Sequence, residues 1–210
     1  MRVAPQERLV AKWARSLDHK VGGEPTTRSI KLTKVDASSV HVRPAARADV
    51  PGIVWVSNSS ILPGEDVGFG GGLGSPFHDG ATLEAAWREP NFVQGEEVWV
   101  AEMGERIVGC VTVEDRRCEL EVVNINVPLQ LQGRGLGTIL VRSVEERARA
   151  EGKQAVTAGT SRNAEGVVWK SLPWWQHLGY RVTHEEENAW TRSIGPGVRE
   201  VRMRKELPAE

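Results

Sequence analysis

The segment that most constrains this chain is Leu131-Gln132-Gly133-Arg134-Gly135-Leu136-Gly137-Thr138. Before it, residues 119–127 are a β-branched run that predicts a strand. After it, Ile139, Leu140, Val144 and Ala148 recur at helical spacing up to a stop near Gly152. Three glycines at alternate positions let the backbone turn sharply and meet a ligand with N–H groups that no side chain shields. The first turn of the following helix adds unpaired N–H donors and a partial positive charge. Arg134 and the Thr138 hydroxyl supply further donors, and together these groups suit a pyrophosphate. A P-loop needs Gly-Lys followed by Ser or Thr, and no lysine stands between Met103 and Lys153. A dinucleotide fingerprint needs Gly-x-Gly-x-x-Gly near the start of a βαβ unit, whereas these glycines lie deep in the chain after several strands. A glycine-rich connection with no ligand is the remaining alternative.

The rest of the chain divides around this loop. Residues 1–39 read as an extension, with Leu9, Val10, Trp13 and Leu17 predicting a helix over 5–20 and a Gly-Pro-Thr-Ser linker over 22–29. Residues 40–210 read as one domain. A short strand is expected over 40–43 and a helix over 49–57, with Pro51 suited to its first turn. Residues 63–80 hold seven of the 22 glycines and read as a long loop, either a substrate lid or plain disorder. A helix over 82–88 follows, then strands over 97–102, 107–113 and 119–127 joined by short turns, which predicts antiparallel pairing. Further strands fall over 154–160, 180–184 and 198–207, with helical character over 163–178 broken by Pro173. A mixed α/β sheet results.

Charge and composition exclude several functions. With 27 basic and 28 acidic side chains the formal charge is −1, so no global field draws the chain to nucleic acid or anionic membrane. No apolar run reaches the ~18 residues of a membrane span, and no secretory leader is visible, so a cytoplasmic location is expected. Two cysteines are too few for a disulfide framework. His41 and His184 lack ligand spacing, and no metal site is expected.

Gln132-Gly133-Arg134-Gly135-Leu136-Gly137 resembles the Gln/Arg-x-x-Gly-x-Gly/Ala signature of the GNAT family of N-acetyltransferases. Glu121-Val122-Val123-Asn124-Ile125-Asn126-Val127 is similar to the family's bulged central strand, and Trp174-Trp175-Gln176-His177-Leu178-Gly179-Tyr180 to its Phe-Tyr-x-x-x-Gly-Phe element. The resemblance covers about residues 40–207. It implies the GNAT fold: a mixed, mostly antiparallel sheet with one splayed parallel pair, flanked by helices. It also implies acetyl-CoA as donor, with Gln132, Gly133, Arg134, Gly135, Leu136, Gly137 and Thr138 at the pyrophosphate. Ile125, Asn126 and Val127 would face the cofactor arm, with the N–H near Val127 stabilising the oxyanion. Asn163 matches a cofactor-contacting asparagine, a helix N-cap being its other reading.

By the same resemblance Glu121 is the catalytic candidate, as base or water-positioning residue, with Glu119 on the same strand face in reserve. Its structural alternative is a glutamate paired with an arginine. The chain departs from the family at Trp175, which stands where a tyrosine often protonates the leaving thiolate; indole N–H is no usable acid. Solvent, His177 or Ser171 would take that part, and Tyr180, the sole tyrosine, aligns with a packing aromatic. Trp87, Trp169, Trp174 and Trp175 form either an acceptor pocket or core. The function implied is direct acetyl transfer to a primary amine, with a small-molecule acceptor preferred. A non-catalytic acyl-CoA sensor is the rival, and the N-terminal helix is a candidate for pairing two copies into a homodimer.

Overall fold

The computed structural model describes residues 35–60 and 76–208. The expected helix over 5–20, the linker over 22–29 and most of the glycine-rich stretch over 63–80 lie outside the described residues. Along the described chain the elements are β1 (His41–Pro44), α1 (Val50–Asn58), α2 (Gly80–Ala86), β2 (Trp87–Arg88), β3 (Phe92–Val93), β4 (Glu96–Met103), β5 (Arg106–Asp115) and β6 (Glu119–Asn126). They continue with α3 (Leu136–Ala150), β7 (Ala155–Arg162), α4 (Leu172–His177), β8 (Arg181–Glu186), α5 (Ala189–Ile194) and β9 (Arg199–Glu206). The strands make one sheet in the order β2-β3-β4-β5-β6-β7-β9-β8. β1 also lies on β4, covering Trp99 to Glu102, while β3 covers Glu96 and Glu97 on that strand.

Short turns impose antiparallel pairing on β4, β5 and β6: Gly104 and Glu105 join the first two, with Gly104 at φ +64°. The crossover through α3 makes β6–β7 the one parallel pair, so the sheet is mixed and mostly antiparallel, as expected from sequence. α3 buries Leu136, Leu140, Val141, Val144 and Ala148 on one face of the sheet. On the other face Val50, Ile53 and Val56 of α1, Leu83 of α2 and Phe77 pack with Val98, Val100 and Cys110.

Two features open the middle of the sheet. β6 and β7 pair only from Glu119↔Ala155 to Val122↔Ala158, and beyond that each strand runs on without the other. Val122 lies opposite Val113 while Asn124 lies opposite Thr112, which leaves Val123 as an inserted residue in β6. Such a bulge bends its strand and increases local twist, and here it falls at the first residue past the parallel ladder.

Three local expectations change. The helix expected over 82–88 begins earlier, where the Asp79 side chain accepts from Thr82 N at 2.8 Å, and stops at Ala86. Trp87 and Arg88 then become a strand, pairing antiparallel with Val93 and Phe92. Pro173 begins α4 rather than interrupting a helix, since its missing N–H costs nothing in a first turn. α5 goes unanticipated, although Asn188 and Thr191 cap it reciprocally: Thr191 N donates to Asn188 Oδ1 at 3.0 Å and Asn188 N to Thr191 Oγ1 at 2.9 Å.

Candidate active site

The glycine loop is held from three sides. The Gln132 side-chain amide donates to Val127 O at 2.9 Å and to Ser60 O at 3.0 Å, tying the loop to the end of β6 and to the chain after α1. Val35 N donates to Arg134 O at 3.0 Å, so the residues just before β1 lie along the loop. Gly133 and Gly135 adopt φ of +72° and +97°, in the left-handed region that favours glycine. Gly137 has a different reason: a Cβ there would come within 3.2 Å of the Trp174 ring, so this glycine admits the indole. Gln132 therefore acts through the loop's shape, while its neighbours present backbone.

A cavity of about 890 Å³ runs along this loop. It is bounded by Ile125, Asn126 and Val127, by Gln132 through Ile139, and by Arg142, Lys170 and His177. The Arg134 Nε is buried with no hydrogen-bond partner among the described residues. Together with the first N–H groups of the fifteen-residue α3, it leaves donors for an anion. A phosphate-bearing ligand fits this donor set. Asn126 spends its side-chain oxygen on the Ser60 hydroxyl at 3.0 Å.

A second cavity, of about 910 Å³, opens on the other side of the splay. Glu96, Arg116, Glu119, Glu121, Glu200 and Arg202 bound it, with Trp169, Trp174, Trp175 and Trp190 as its aromatic walls. Asn124, Ile125, Trp169, Ser171 and Trp174 border both cavities, so the two meet where β6 and β7 part. The Ser171 and Thr160 hydroxyls share a hydrogen bond of 3.0 Å at that junction.

Glu121 is buried and ion-paired on both oxygens. Arg202 Nη1 lies 2.6 Å from Oε1 and Arg116 Nε 3.0 Å from Oε2. Burial alone would raise its carboxyl, but the hydrogen bond and charge of Arg202, with those of Arg116, hold it below the ordinary carboxylate range. Glu119 pairs with Arg204. Trp175 is 3% exposed, its ring 4.8 Å from that of Tyr180, so both pack as core. Burial pushes the Tyr180 phenol far above its usual range, which removes it as an acid.

The predicted residues thus fall into two groups. Ile125 through Val127 and the loop 132–138 line the first cavity, and Glu121 lines the second. Asn163 lines neither: β7 runs to Arg162, and the Asn163 side chain accepts from Val167 N at 2.8 Å to close a turn, not a helix. Sequence reasoning missed Glu96, Thr160, Ser161 and the two arginines on Glu121. Strand register and the return of β9 bring them together, and neither leaves a local signal.

The fold and the paired cavities are those of an acyl-transferring enzyme, and the comparisons agree. The model of the GNAT acetyltransferase domain matches residues 75–207. The chain belongs to the GNAT acetyltransferase family, whose acyl donor is acetyl-CoA. It is 30% identical over 107 residues to N-acetyltransferase 8B of Homo sapiens, covering 48% of this chain. That match spans 45% of the human protein, so the chain covers about half the length of this curated relative. Among solved structures, yncA of Salmonella typhimurium with its cofactor acetyl-CoA superposes at TM-score 0.56 and 23% identity, over 82% of this chain and 96% of that one. A GNAT family acetyltransferase of Elizabethkingia anophelis with acetyl-CoA bound gives TM-score 0.52 at 18% identity, over 81% and 99%. At those identities the likeness is one of fold. Among the described residues no helix is long and apolar enough to cross a membrane.

Proposed function

We propose that this protein transfers an acetyl group directly from acetyl-CoA to a primary amine of a small molecule. The observation that carries the reading is the meeting of two cavities, one rich in anion donors and one walled by carboxylates and indoles, at the point where β6 and β7 separate. Acetyl-CoA supplies an activated acyl thioester. Gly133 through Thr138 and the Arg134 side chain hold its pyrophosphate, and the open edge of β6 at Ile125 to Val127 receives the pantetheine arm as an added strand. The backbone N–H near Val127 polarises the thioester carbonyl.

On the acceptor side Glu121 has a role that suits its pairing. A carboxylate held low by two guanidiniums is a weak base, so Glu121 positions the amine or the water that takes its proton. Ser171, hydrogen-bonded to Thr160 and bordering both cavities, is placed to donate a hydrogen bond to the departing sulfur, with solvent supplying the proton that the family's tyrosine would give. Two free cysteines are compatible with the cytoplasmic location that belongs to the same reading.

Release of free CoA from acetyl-CoA, followed with a panel of small amines, tests the proposal. Amine-dependent release is expected, and release should fall roughly 100-fold in Glu121→Gln, the scale of one positioned group in proton transfer. Tight acetyl-CoA binding with no release on any amine would instead favour the sensor, whose support is the buried Trp175 at the family's tyrosine position. Pairing through residues 5–20 predicts a homodimer that becomes monomeric on deletion of residues 1–34, read by sedimentation.

A further inference from the structure

The acceptor cavity carries more negative charge than its own cations offset. Glu97 lies opposite Val113, and Glu114 lies opposite Glu121. The antiparallel register of β4 on β5 therefore brings Glu96 beside Glu114, so Glu96, Glu114 and Glu121 form one row across three strands. Arg116 is shared by Glu114 at 2.7 Å and Glu121 at 3.0 Å. Arg202 is shared by Glu121 at 2.6 Å and Glu200 at 2.9 Å. Three carboxylates thus share two guanidiniums, and a fourth, Glu96, pairs with no cation among the described residues. Like charges facing each other across strands destabilise a sheet. Burial, with the charges of Glu114 and Glu121, raises the Glu96 carboxyl above its ordinary range, against the opposing effect of the neighbouring Thr112 hydroxyl. A second observation points to an occupant: Ser161 is 1% exposed, borders the same cavity, and its hydroxyl has no hydrogen-bond partner among the described residues. The indoles of Trp169, Trp174 and Trp190 complete a wall suited to a cation.

Building on the acetyltransferase reading, we propose that the acceptor is an amine with a second cationic group, and that this second group docks on Glu96. Distance separates the two ends. Neighbouring strands lie about 4.8 Å apart, so Glu96 stands roughly 10 Å across the sheet from β6, where transfer takes place. A proton acceptor must come within about 3 Å of its proton, or one water away. Glu96 is therefore set back from the attacking nitrogen and spaced for a charge at the far end of a short aliphatic chain. The Ser161 hydroxyl accepts a hydrogen bond from the same molecule. The chemistry is that of direct transfer: the near nitrogen sheds a proton to water at Glu121 and attacks the thioester carbon. The C–S bond breaks and CoA leaves as the thiol, while the far ammonium stays charged throughout.

The test compares propane-, butane- and pentanediamine with propyl-, butyl- and pentylamine in the CoA-release assay, using the full chain and its Glu96→Gln variant. Diamines are expected to exceed matched monoamines in kcat/KM by roughly tenfold, the scale of one charge-assisted contact. The advantage should lengthen toward the longer spacers and should shrink in Glu96→Gln mainly through KM. Equal use of diamines and monoamines by the native chain overturns the proposal, as does an equal loss on both in the variant. If no amine releases CoA, the acetyltransferase reading fails, and calorimetry then decides the docking site separately. Pentanediamine that binds the native chain and loses roughly tenfold in affinity to Glu96→Gln upholds the site, and no binding overturns it.

Discussion

Glu121 illustrates how one side chain is made ionised and immobile at once. It is buried, and only the guanidiniums of Arg202 and Arg116 keep it charged. Replacing Arg202 by Gln strands one oxygen of Glu121 and one of Glu200. A loss of roughly 2–3 kcal/mol is expected in urea denaturation, below that of a fully buried pair because Arg116 remains. The pH dependence has opposite signs along the glutamate row. Glu121 titrates lower in the fold than in the unfolded chain, so its stabilisation is complete above the unfolded carboxylate range near ~4.3 and is lost as pH falls through its folded value. Glu96 titrates higher in the fold, so its contribution is present below the unfolded value and lost as pH rises through the folded one. Glu96→Gln should therefore melt at a higher temperature than the native chain at pH 7, with the gain gone near pH 4; a gain that grew on acidification would contradict this. The same side chain would then lower stability and improve acceptor binding, a common trade at functional sites. Glu121 stands out in sequence because it sits on a recognisable strand. Glu96 does not, since only register across two strands makes it a neighbour.

At the scale of elements, the strand, glycine loop and helix from Glu119 to Ala150 were legible because each has its own local signal: β-branched residues, alternate glycines, helical spacing. What the loop glycines do separately was not. Gly135 serves the backbone turn and Gly137 admits Trp174. Gly135→Ala places a Cβ on left-handed backbone at a cost of roughly 1–2 kcal/mol, and should raise the KM for acetyl-CoA as the following N–H groups turn away. Unchanged binding with unchanged melting would show the loop to be more pliant than its dihedrals imply. Elements held by tertiary context were the hard ones. β2 and β3 are two residues each, too short for any periodicity, and Asn163 belongs to a turn that only the extra length of β7 reveals. α5 was readable in principle through Asn188 and Thr191, a reciprocal cap without the usual glutamate.

At the scale of the whole domain, the mixed sheet with one parallel pair follows from short turns on one side of α3 and a helical crossover on the other. The parallel ladder spans only Glu119 to Val122 on β6 and Ala155 to Ala158 on β7, after which backbone groups on two strands face a gap. Unpaired strand edges are places where a fold opens or takes on another chain. Acetyl-CoA at 100 times its Kd adds about 2.7 kcal/mol to stability. The protection should concentrate on amides at Ile125 to Val127 and on the far end of β7, a pattern that hydrogen exchange resolves. Uniform protection would place the stabilisation elsewhere. The place where β6 and β7 part lies in the middle of the sheet, so on the proposed placement of the cofactor the protein's lifetime against proteolysis should lengthen as acetyl-CoA rises. The acetyl supply would in that way set how much of the enzyme survives.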